Sequence, residues 1–111
     1  MNPIEINCES GTITVDPDRK VVKVQSIRKQ PVYINQDALA RALSNVKHSK
    51  GLIASSESAD VVDRDGHRIQ VVVHHHPSDF NFSTWGNLRV DDSTSIHLNS
   101  WTFSRLCSCC L

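Results

Sequence analysis

Three consecutive histidines, His74, His75 and His76, close an apolar run and are followed by Pro77; Asn87 lies 12 residues after His75, and His97 lies 10 residues after Asn87. Histidine titrates near neutral pH in its ordinary state and is the commonest nitrogen ligand for transition metals, so such a group offers proton transfer, metal binding or both. Neighbouring side chains of a strand point to opposite faces. His74 and His76 therefore share one face and His75 takes the other, and any site built here uses the two faces differently.

The elements that must position these residues are legible from hydrophobic spacing. Apolar and polar residues alternate over residues 4–6, 12–15 and 21–27, with Ser10-Gly11 and Asp16-Pro17-Asp18 supplying turn chemistry between them. A short extended piece over 32–34 precedes Leu39, Ala42, Leu43 and Val46, which recur at helical spacing, with Asn35 as N-cap and Gly51 as the C-terminal stop. Residues 54–60 read as a polar linker. Asp65-Gly66, between Val61-Val62 and the apolar run 69–73, predicts a hairpin with a two-residue turn. Phe80, Phe82 and Trp85 fall in a loop, Leu88 and Val90 in a short strand, and Ser93 or Thr94 caps a final helix holding Ile96, Trp101, Phe103 and Leu106. The reading is one α+β domain over 1–111, with an antiparallel sheet, a central helix and a shorter C-terminal helix. Its parts are a β-β-β-α half (1–53), the linker (54–60) and a hairpin-loop-strand-helix half (61–111), without an internal repeat.

Composition sets the outer limits. The chain has 111 residues, 39% hydrophobic and 22% charged, which suits one folded domain and not a disordered chain. Twelve Lys and Arg offset twelve Asp and Glu, so no global field draws in nucleic acid or an anionic membrane. No window approaches the ~18 apolar residues of a membrane span, and residues 1–13 lack a secretory pattern, so a cytoplasmic location is expected. Cys107, Cys109 and Cys110 crowd the C-terminal end and Cys8 stands apart, a distribution that predicts reduced thiols.

The run His74-His75, an irregular loop, Asn87-Leu88 and then His97 resembles the ββα finger of HNH or His-Me-finger nucleases over residues 69–104. That resemblance implies His75 as the general base activating water, Asn87 as its orienting partner, and His74 with His97 holding one divalent metal ion, whether zinc, magnesium or nickel. The implied activity is metal-dependent phosphodiester cleavage. Trp101 stands where colicin-like members carry a further metal-binding histidine. His74-x-His76-Pro77 with Ser83-Thr84 is similar, more distantly, to the zinc signature of JAMM or MPN-type isopeptidases, with Asn87 where that family has an aspartate.

A reading without catalysis stands beside these. The histidines then end a strand, Asn87 is a turn residue beside Gly86, and His97 lies on a helix face. The chain is then a small interaction or accessory module that forms a homodimer or binds a protein partner. The two readings differ in geometry: catalysis requires His75, Asn87 and His97 to converge, and an interaction module leaves them apart.

Overall fold

The computed structural model describes residues 2–27, 29–47, 55–77 and 82–110. Alternation of apolar and polar side chains builds β1 (Ile4–Cys8), β2 (Gly11–Asp16), β3 (Val21–Ser26) and β4 (Val32–Asn35), each sending every second residue inward. They form an antiparallel meander in the order β1-β2-β3-β4, followed by helix α1 (Gln36–Lys47). A second meander contains β5 (Ser55–Val62), β6 (Arg68–Pro77), β7 (Phe82–Arg89) and β8 (Ser95–Leu98), followed by α2 (Ser100–Cys110). The α+β class, the central helix and the slightly shorter C-terminal helix are as expected. Among the described residues there are two sheets where one was expected, and four strands then a helix occur twice.

Several elements differ from the sequence reading for identifiable reasons. Residues 55–60 are strand and not linker: their backbone pairs with β6 from Ser55–His75 to Asp60–Gln70, although over 56–60 the inward-facing residues are the small Ala59 and the carboxylate-bearing Glu57. Phe82 and Trp85 lie on β7 and not in a loop; Gly51 and Phe80 lie outside the described residues. Ile96 and Leu98 are buried on a strand, and the final helix begins only at Ser100, so neither Ser93 nor Thr94 caps it. The hairpin at Asp65-Gly66 exists, but its loop has three residues. Asp63 N–H donates to the His67 carbonyl at 2.9 Å, Gly66 N–H donates to the Asp63 carbonyl at 3.2 Å, and Gly66 takes φ of 87°. This is a type I turn closed by a glycine bulge.

The sheets meet edge to edge at two bridges, Ile34 with Asp63 and Glu9 with His97. α1 packs along β5 and β6, and α2 packs on β7, β8 and β1, so each helix contacts the first strand of the sheet it does not directly follow. Helical cover adds to these two bridges in protecting the sheet edges. Both inner faces and both helices supply one continuous core, from Ile6, Ile13, Val22 and Ile34 through Leu39 and Leu43 to Ile69, Val71, Leu88, Leu98 and Leu106. Trp101, one of the apolar residues read into the final helix, lies on that helix 65% exposed and has Arg105 over its ring at 5.4 Å.

Asparagine starts both helices. Asn35 Oδ1 accepts the Ala38 N–H at 3.1 Å, and Asn99 Oδ1 accepts the Thr102 N–H at 2.9 Å. Each satisfies a backbone donor that the first helical turn leaves without a partner. Asn35→Ala and Asn99→Ala are each expected to cost about 1 kcal/mol, and the double variant about twice that, because the caps are separate. Urea unfolding followed by circular dichroism checks both values.

Candidate functional site

Strand β6 sorts its residues by face. Ile69, Val71, Val73 and His75 point into the core, and Gln70, Val72 and His74 alternate with them on the outer face. His75 is 8% exposed. Its Nε2 lies 3.1 Å from the Val46 carbonyl near the end of α1, and its Nδ1 lies 3.2 Å from Thr84 Oγ1. A carbonyl only accepts, so Nε2 carries a proton; in the neutral ring Nδ1 then accepts from the Thr84 hydroxyl. Both ring nitrogens are engaged in tying β6, β7 and α1 together.

His74 turns the other way. Its Nδ1 lies 2.6 Å from Ser56 Oγ on β5, and its ring sits 5.6 Å from that of Trp85, tilted by 31°. Asn87 and His97 face each other across β7 and β8, and Val72 faces Asn87 from β6. His74, Asn87 and His97 thus share the outer face of the second sheet, half-buried, while His75 is on the inner one. His97 lies on β8 and not on the closing helix that a ββα finger requires. His74 and His97 are two strands apart and two residues offset along them, which separates their Cα atoms by about 12 Å. The four residues form two groups on this face and one anchor beneath it. The His76 side chain lies outside the described residues.

A group that sequence reasoning passed over sits at the β5–β6 hairpin. Asp63, Asp65 and His67 place one donor atom each within 4.8 Å of one another, an arrangement that could hold a metal ion. Asp63 is buried; its Oδ1 accepts the N–H groups of Asp65 at 2.9 Å and His67 at 2.8 Å. Asp63 Oδ2 is buried without a hydrogen-bond partner and lies 3.4 Å from His67 Nδ1. The available signal was Asp-x-Asp-Gly-His, with donors at i, i+2 and i+4 around a glycine turn.

Elsewhere, the β7–β8 connection folds around Asp91. Its carboxyl is held down to about 2, first by the Ser93 backbone N–H and also by Lys29, whose Nζ is 3.3 Å away. This loop walls a shallow concavity of about 360 Å³ on the outer face, with Val72, Asn87 and Arg89 as its floor. The four cysteines form no disulfide, and Cys107 and Cys110 are buried on α2. Burial, followed by the neighbouring Cys109 and Cys107, pushes the Cys110 thiol up to about 12, so it stays protonated and packs as an apolar group. No described helix is long and apolar enough to cross a membrane.

No protein-family model, curated protein or solved structure matches this chain.

Proposed function

We propose that this protein is a non-enzymatic, self-associating interaction module whose contact surface is the outer face of β5–β8. The observation that carries the reading is the display of Trp85, His74, Val72, Asn87 and His97 on one solvent-facing sheet surface, with His75 turned away into the core. An aromatic ring of this kind offers large contact area at low cost in side-chain entropy, and half-buried polar neighbours suit the rim of an interface. Both charge signs border the face: Arg68 pairs with Asp60 at 3.7 Å, and Arg89 pairs with Asp92 at 3.7 Å. A formal net charge of zero adds no long-range repulsion between copies. A mixed-sign patch can therefore meet its own image across a two-fold axis.

Sedimentation equilibrium over a range of concentrations tests the reading. The wild type is expected to show a concentration-dependent dimer, and Trp85→Ala to weaken it by about 30-fold, as for an interfacial aromatic worth ~2 kcal/mol. A wild type that stays monomeric to about 0.5 mM, an affinity ceiling near −4.5 kcal/mol, overturns self-association. The nuclease alternative has its own test: plasmid nicking with zinc, magnesium or nickel. Turnover by the wild type that His97→Ala and Asn87→Ala both abolish would replace the interaction reading with a catalytic one.

A further inference from the structure

The hairpin group rests on an observation independent of the outer face. A buried carboxylate oxygen without a hydrogen-bond partner costs free energy that proteins ordinarily avoid, and Asp63 Oδ2 is such an atom, on a side chain only 1% exposed. Its sister oxygen is saturated by two backbone N–H groups, which fixes the carboxylate and aims Oδ2 at His67. If that approach were a charge-assisted hydrogen bond from a protonated imidazole, it would close to about 2.7–2.9 Å. The observed 3.4 Å is longer. It matches the spacing between two donors of one tetrahedral metal with bonds of ~2.1 Å, which geometry puts at about 3.4 Å.

We propose that Asp63, Asp65 and His67 form a binding site for a divalent transition-type metal ion, with zinc as the reference ligand. Two carboxylates and one imidazole make a borderline donor set. Calcium prefers six to eight oxygens and magnesium retains its water, so neither fits a three-donor set containing nitrogen as well. Asp65 and His67 are exposed, so the ion enters from solvent and water completes its coordination. The site lies at the seam between the halves. Asp63 bridges to Ile34 of β4, and Arg64 N–H donates to the Tyr33 carbonyl at 3.0 Å, so a bound ion braces the junction of the two sheets.

The test is zinc titration calorimetry of the full chain under reducing conditions, with the cobalt(II) absorption spectrum as a second readout. The expected result is one zinc per chain, with affinity falling at least about 10-fold in both His67→Ala and Asp65→Ala. Both side chains are exposed, Asp65→Ala leaves the Asp63–His67 pair intact, and a His74→Ala plus His97→Ala variant should bind as the wild type does. Cobalt should give the weak visible bands of oxygen and nitrogen ligation without intense thiolate absorption. Absence of zinc binding, undiminished affinity in His67→Ala, or thiolate bands that assign the metal to the cysteines would each overturn the proposal.

Discussion

Replacing His75 with alanine is expected to destabilise the protein by about 3 kcal/mol, lowering the melting temperature by roughly 10 °C. Three effects add in the same direction. The Val46 carbonyl loses its partner near the C-terminal end of α1, the Thr84 hydroxyl loses its own, and the core gains a void the size of an imidazole ring. His75→Gln separates these effects, because its amide nitrogen reaches about as far as Nε2 and can still donate to Val46; it should recover about half of the loss. Guanidinium unfolding monitored by tryptophan fluorescence measures both variants. A His75→Ala protein as stable as the wild type would mean that the ring does not anchor α1. The prediction also separates roles: a general base exposed to substrate would cost activity on removal, with little change in stability.

The face assignment behind that prediction was present in the sequence. Strand alternation placed His75 opposite His74, and His75 continues the series Ile69, Val71 and Val73, so the same period that marks the core runs through it. The first three strands, Asn35 as a cap and the position of the β5–β6 hairpin were legible because apolar alternation and turn residues agreed there. β5 was not, since Ser56 and Ser58 face outward and the inward set over 56–61 is Glu57, Ala59 and Val61; its pairing with β6 holds it as strand. β8 was hidden by Ser93 and Thr94, which imitate a helix start, although Ile96 and Leu98 are two residues apart, a strand period.

The doubling of the fold was hidden for a different reason. Asn35 and Asn99, 64 positions apart, cap helices whose buried positions correspond as Leu39 to Phe103, Ala42 to Leu106, Leu43 to Cys107 and Val46 to Cys110. What recurs is the role of each position, apolar and inward, while the residue filling it changes in every pair. Residue identity does not recur at these positions, because packing constrains volume and polarity more than residue type. At the hairpin, the turn signal of Asp65-Gly66 was strong enough to account for the local sequence. What makes Asp63 unusual, a buried oxygen without a hydrogen-bond partner, is a property of the fold alone.

The same repeat places Gly86 where the first half has Val22, which frames a substitution whose sign is in contest. Gly86 is buried within β7, opposite Val73, and its φ is not positive, so backbone freedom is not why glycine stands there. By unfolded-state entropy alone, Gly86→Ala should stabilise by about 0.4–1 kcal/mol. Packing argues the reverse. A Cβ on residue 86 would overlap the Val72 carbonyl oxygen of the neighbouring strand and lie 3.3 Å from its carbonyl carbon and 3.4 Å from the Val73 Cα. These are backbone atoms in the pairing between β6 and β7, so relief requires moving the ladder that carries Val71, Val73 and His75 into the core. Overpacking against backbone costs ~1–3 kcal/mol or more, which exceeds the entropic gain. Gly86→Ala is therefore expected to destabilise by about 2–3 kcal/mol, with disturbed amide shifts on β6 in NMR spectra. A neutral or stabilised Gly86→Ala protein would show that β6 and β7 separate enough to admit a side chain, and would remove close strand approach as the reason for glycine at this position.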